Sequence, residues 1–237
     1  MNKRTLIEKL QTMAASPSCY PDLKQVTHAY LKLVEAEIIA AKNLVAELNE
    51  DIVTIDELVE ISHSKETGEK FGAEAAKKFA ANADALKVAG AKYCNCLACT
   101  LALEILDNQE LFFGETVSGS GMDKRTLIEK LDALRTSPSC YPDLKQSVKN
   151  YLVALAAKQV AAKNLIAELE EDVVDIDTLI EHVSSDIEHF IKFFGVEGAK
   201  LFAENAYKLK AAGAKYCNCL ACTIALEILD NKDVLLT

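Results

Sequence analysis

The sequence predicts an all-α protein: two homologous four- to six-helix bundle domains in tandem. Three observations predict it. Apolar residues recur at helical spacing, with no alternating strand pattern anywhere in the 237 residues. The composition suits helices, with half the residues hydrophobic, no Trp and only four Pro, while Ala, Leu, Glu and Lys are plentiful. And the chain is written twice.

KRTLIEKL at 3–10 returns at 124–131, SPSCYPDLKQ at 16–25 returns at 137–146, and AGAKYCNCLACT at 89–100 returns at 212–223. Cys19 recurs 121 residues on as Cys140, whereas Cys94 recurs 123 residues on as Cys217. The second copy therefore carries two extra residues, placed between roughly 182 and 192 by where the offset changes. A unit of this length is a domain rather than a solenoid repeat. The copies are read as domains 1–117 and 122–237, separated by Ser118-Gly119-Ser120-Gly121. A Ser/Gly linker followed at once by Met122 reads as two start-to-stop coding units joined by design. Four extended residues reach at most ~14 Å. If the domains pair as a pseudo-dimer within the chain, the end of one must lie near the start of the other.

Within a copy, Leu6, Leu10 and Met13 space a first helix that stops before Ser16-Pro17. Pro21 and Asp22 suit the first turn of the next. Residues 22–50 are periodic and nearly free of breakers, giving one long helix or two with a turn near residue 36. Thr54-Ile55-Asp56-Glu57 matches a capping box. A Gly-containing loop near 66–72 precedes a helix over about 73–88, which Gly90 terminates. Tyr93–Cys96 is loop, and 97–107 forms the last helix.

The net charge of −10 argues against nucleic acid, whose phosphates demand a basic face. No apolar run is long enough to cross a bilayer, and the start lacks a signal-peptide core. The expected compartment is the reducing cytoplasm, where clustered cysteines point to metal or reactive thiols rather than disulfides. Acidic runs such as 47–51 and 168–172 are solvated helix faces. No Gly-rich phosphate loop, His-Glu-x-x-His or Ser/His/Asp arrangement is present, so no catalytic residue is assigned.

All eight cysteines lie in the repeated phrases. Cys94, Cys96 and Cys99, like Cys217, Cys219 and Cys222, form a Cys-x-Cys-x-x-Cys cluster where a loop enters a helix. Helix-start N–H groups and the dipole favour thiolates there. Cys19, in a Pro-flanked corner, is the natural fourth ligand for the first cluster, and Cys140 for the second. Histidines do not recur between copies and are not ligands. Four thiolates suit structural zinc and iron–sulfur clusters alike. A zinc ion bound at ~2.3 Å holds its sulfurs ~3.8 Å apart, whereas an extended Cys-x-Cys pair spans ~6.6 Å, a spacing nearer to a cubane. Thiol redox chemistry, soft-metal scavenging and plain burial are the remaining readings. Tyr20, Tyr93, Tyr141 and Tyr216 each adjoin a cysteine and are candidates to shield a bound group or hydrogen-bond a sulfur, with ordinary packing the alternative.

The phrases SPSCYPDLK and AGAKYCNCLACTLALEIL resemble a group of short bacterial proteins, found largely in anaerobes and often labelled heat-shock or ninety-kilodalton chaperones. The resemblance covers nearly all of each copy. In that group Pro commonly follows the second cluster cysteine, and a further Cys often follows the corner cysteine. Leu97 and Tyr20 stand there in this chain, as do Leu220 and Tyr141. A unit this short holds no nucleotide-binding ATPase domain, so the resemblance implies the fold and the site and leaves the activity open. The leading expectation is a non-enzymatic protein with one [4Fe–4S] cluster per domain, passing electrons or clusters to a redox or cluster-accepting partner. The alternative is a structural Zn2+ module for protein–protein interaction.

Overall fold

The computed structural model describes residues 1–114, 122–185 and 187–236. The linker read at 118–121 lies outside them. The described residues form an all-α structure of twelve α-helices and one short 3-10 turn. Among the described residues extended pairing is confined to two isolated bridges, Thr54 with Tyr93 and Asp175 with Tyr216. Among the described residues no helix is long and apolar enough to cross a membrane.

Most elements fall where the sequence places them. Helix α1 (Lys3–Ala15) is capped by the Asn2 side chain, which accepts from the Thr5 N–H. Helix α2 (Pro21–Asp51) is continuous over 31 residues, so the sequence's two alternatives resolve to one long helix. Helix α3 (Ile55–His63) opens on the expected capping box, Thr54 and Glu57 each satisfying the other's backbone N–H. The 66–72 segment is not a loop but helix α4 (Lys65–Phe71), capped by Ser64. Gly68 is accommodated inside it, and only Gly72, at φ 83°, breaks the chain. Helix α5 (Ala73–Val88) ends before Gly90 at φ 81°. Helix α6 (Leu97–Leu106) and the 3-10 turn Gln109–Phe113 complete the first copy.

The second copy repeats the plan as α7 (Lys124–Thr136), α8 (Pro142–Asp172), α9 (Ile176–Ser185), α10 (Ile187–Ala211), α11 (Leu220–Leu229) and α12 (Asp233–Leu236). In α10 the helix is interrupted at Gly195, at φ 71°, the counterpart of Gly72.

The chain folds into two compact units, and their boundaries do not follow the sequence copies. The continuous unit is Glu35–Ala156; the split unit combines Met1–Val34 with Ala157–Thr237. Each therefore draws on both copies, instead of matching 1–117 and 122–237. The physical reason is the length of α2 and α8. At 1.5 Å per residue, 31 residues run ~46 Å, well beyond the ~30 Å width of a small domain. Each long helix thus gives its first part to one unit and its remainder to the other.

In the continuous unit, Leu44 and Leu48 of α2 pack with Leu101 and Ile105 of α6, Leu127 and Leu131 of α7, and Tyr151 of α8. Burying each such side chain stabilises by roughly 1.5–3 kcal/mol. Lys130 of α7 donates to Glu104 of α6 at 2.6 Å. The split unit repeats this with α1 against α11, where Lys9 pairs with Glu227. Its second cluster joins Ile176, Leu179 and Val183 of α9 to Ala206 of α10 and to Cys217 and Cys222.

Candidate metal centre

In the continuous unit the cluster strand docks onto the residues just beyond α2. The Cys94 N–H donates to the Val53 carbonyl, and the Ile55 N–H to the Lys92 carbonyl, both at 2.9 Å. This two-bond strap fixes the loop that feeds α6. Cys96 is the N-cap of α6, its sulfur accepting from the Cys99 N–H at 3.5 Å, while Cys94 accepts from the Cys96 N–H at 3.4 Å. The three sulfurs lie within 4.8 Å of one another. That is tighter than the ~6.6 Å of an extended pair, because those N–H groups draw the sulfurs inward.

The corner supplied to this cluster comes from the second copy. Ser139 Oγ accepts from the Ala98 N–H at 3.4 Å, satisfying an orphan donor of α6. Its hydroxyl also bonds the Cys96 sulfur, and Cys140 feels the charge of Cys96. Cys94, Cys96, Cys99 and Cys140 together line a cavity of about 890 Å³ with Asp51 and Tyr141. Cys140 stands outside the three-sulfur group.

The split unit builds the same arrangement from the reverse pairing. Cys217 and Ile176 strap to Val174 and Lys215 at 2.9 Å. Cys219 caps α11, and Cys217, Cys219 and Cys222 again lie within 4.8 Å of one another. Ser18 Oγ accepts from the Ala221 N–H at 3.3 Å, and its hydroxyl bonds Cys219. Cys19 is buried and within electrostatic reach of Cys219. The sequence pairing of Cys19 with Cys94, Cys96 and Cys99, and of Cys140 with Cys217, Cys219 and Cys222, is therefore crossed: each corner thiol stands with the other copy's cluster.

All eight cysteines are free. Within each triad the middle sulfur is the one held below its ordinary thiol value. Burial pushes Cys96 up, but the Cys99 N–H, the Ser139 hydroxyl and the neighbouring thiols together carry it below its ordinary value. Hydrogen bonds from the Cys217 and Cys222 thiols hold Cys219 down to about 2. The flanking thiols remain protonated: burial pushes Cys99 up to about 12 and raises Cys94, while bonding to Cys219 and Cys217 raises Cys217 and Cys222 respectively. Burial also raises Cys19 and Cys140, against the pull of Lys24 and Lys145. Three convergent sulfurs form a donor set for a soft metal.

Tyr20, Tyr93, Tyr141 and Tyr216 are 40–49 % exposed. Tyr93 and Tyr216 act through their backbone, in the bridges to Thr54 and Asp175. Sequence reasoning missed Ser18 and Ser139, although both sit in the repeated phrase beside the corner cysteines. It also missed Asp51 and Asp172, which end the two long helices and face the corner thiols. Comparison with protein-family models, curated proteins and solved structures finds no match for this chain.

Proposed function

We propose that this protein is a non-enzymatic thiolate metal protein carrying one centre per compact unit. The observation that carries the reading is the convergence of three cysteine sulfurs within 4.8 Å at a helix N-terminus, twice in one chain. Cys94, Cys96, Cys99 and Cys140 would hold one centre; Cys217, Cys219, Cys222 and Cys19 the other. We favour an iron–sulfur cluster for electron or cluster transfer. The fourth thiol stands apart from the triad, and a cavity of about 890 Å³ adjoins the sulfurs of the continuous unit, leaving room for a group larger than one ion. Four cysteine ligands leave no open iron position, which suits transfer rather than catalysis. When bound, a cluster would supply one-electron redox chemistry; the chain's own N–H groups and the Ser18 and Ser139 hydroxyls would bond its ligand sulfurs.

A second reading is a structural zinc ion in each unit, favoured by sulfur spacing already close to the ~3.8 Å of a tetrahedral site. The absorption spectrum and metal content of anaerobically purified protein decide between them. A broad band near ~400 nm that bleaches with dithionite supports the cluster. Colourless protein with about one zinc per unit overturns it.

A further inference from the structure

We infer that each metal centre is assembled in trans: neither sequence copy holds a complete site, and the partner each copy requires is a second copy of the same unit. Cys19 lies two residues before the first turn of α2, and the Cys94 strap docks on Val53, two residues after its last. Cys19 belongs to the split unit and Cys94 to the continuous one, so the corner and the cluster of one copy are parts of different units. The same holds for Cys140, α8 and the Val174 strap.

Four independent contacts show what replaces the missing corner. Ser139 meets the Ala98 N–H and Ser18 the Ala221 N–H. Lys130 pairs with Glu104, and Lys9 with Glu227. Every one of these joins a first-copy residue to a second-copy residue. A helix pair accompanies each: α7 packs on α6 and α1 on α11. The surface that the first helix and its Ser-Pro-Ser-Cys corner present is thus a docking surface for the last helix of another copy. Joining two copies in one chain supplies that partner at high effective concentration.

The assignment of the fourth ligand rests on the metal reading above; the crossed assembly does not, and two experiments separate them. Zero-length carbodiimide coupling of the monomeric full chain, followed by peptide mapping, is expected to join Lys9 to Glu227 and Lys130 to Glu104. Links from Lys9 to Glu104 and from Lys130 to Glu227 would overturn the inference. The metal test starts from the full chain with Cys217, Cys219 and Cys222 changed to Ser, leaving one centre. Adding Cys140→Ser is expected to abolish the remaining metal, and adding Cys19→Ser to leave it unchanged. The reverse outcome overturns the trans assignment. A wild-type chain that takes up no metal refutes the metal reading alone, and the cross-links still decide the assembly.

Discussion

The two compact units present nearly the same three-sulfur arrangement on different scaffolds. The strap bonds are 2.9 Å in both, the N-cap sulfur contacts 3.4–3.5 Å, and the serine contacts 3.3–3.4 Å. Around them much differs. Equivalent, fully buried positions hold Glu37 in one unit and Lys158 in the other. The cap before one helix is a Thr54–Glu57 box, whereas Asp175 alone accepts two N–H groups and the Thr178 hydroxyl before the other. The equivalent of Phe112 is Leu235. The site thus depends on a short list of local contacts, and the scaffold only has to bring a corner and a strap together.

The two sites should therefore respond equally to the same injury. Cys96→Ser and Cys219→Ser should each halve the metal bound per chain, and together abolish it, as read by metal analysis. A single variant that empties both centres would show that they are not the independent, equivalent sites the local geometry describes.

The scaffolds should respond unequally. Phe112 is fully buried in the continuous unit, its ring edge-on to Tyr151 with centroids 4.9 Å apart. Phe112→Ala should cost about 3–5 kcal/mol, and Leu235→Ala about 2–5, as read by urea unfolding. Equal losses would mean that the aromatic pair adds nothing to plain burial.

The paired tyrosines give a difference of sign. Tyr30 donates to the Leu235 carbonyl at 3.2 Å, while the buried Tyr151 hydroxyl finds no hydrogen-bond partner among the described residues. Tyr30→Phe should destabilise by about 1 kcal/mol, and Tyr151→Phe should be neutral or stabilising. Matching losses in the two variants would break the contrast.

How much of this was legible in the sequence follows from the range of the forces involved. The capping box, the Gly90 stop and the Pro21 start are written locally and were readable. So was the triad, whose convergence needs only a loop entering a helix. Helix α4 was missed because Gly68 and Gly72 together read as a loop, although only Gly72 has the backbone angle that breaks a helix. The partner of each triad was not legible, because it turned on whether α2 breaks near residue 36. α2 is continuous, Cys19 and Cys94 fall in different compact units, and each stands with residues of the other copy. Nothing local to Cys19 records that choice.

The smallest effect concerns the carboxylates that end the long helices. Burial raises Asp172 to about 6, with Glu168 and Glu171 adding to it, and burial with Glu47 and Glu50 raises Asp51 in the same direction. A carboxyl raised above its unfolded value of 3.8 favours folding most when protonated. Its stabilisation is therefore present below pH 3.8 and is lost as pH climbs through about 6. Asp175 has the opposite sign: the Thr178 hydroxyl and N–H lower it, so its contribution is present at neutral pH and fades in acid. Asp172→Asn should consequently raise the urea midpoint of the reduced, metal-free chain at pH 7–8 and give little gain near pH 4. Asp51→Asn should do the same to a smaller degree. A midpoint for Asp172→Asn that falls at pH 8 would mean the carboxylate is held by a favourable partner, and that the two helix ends differ in kind.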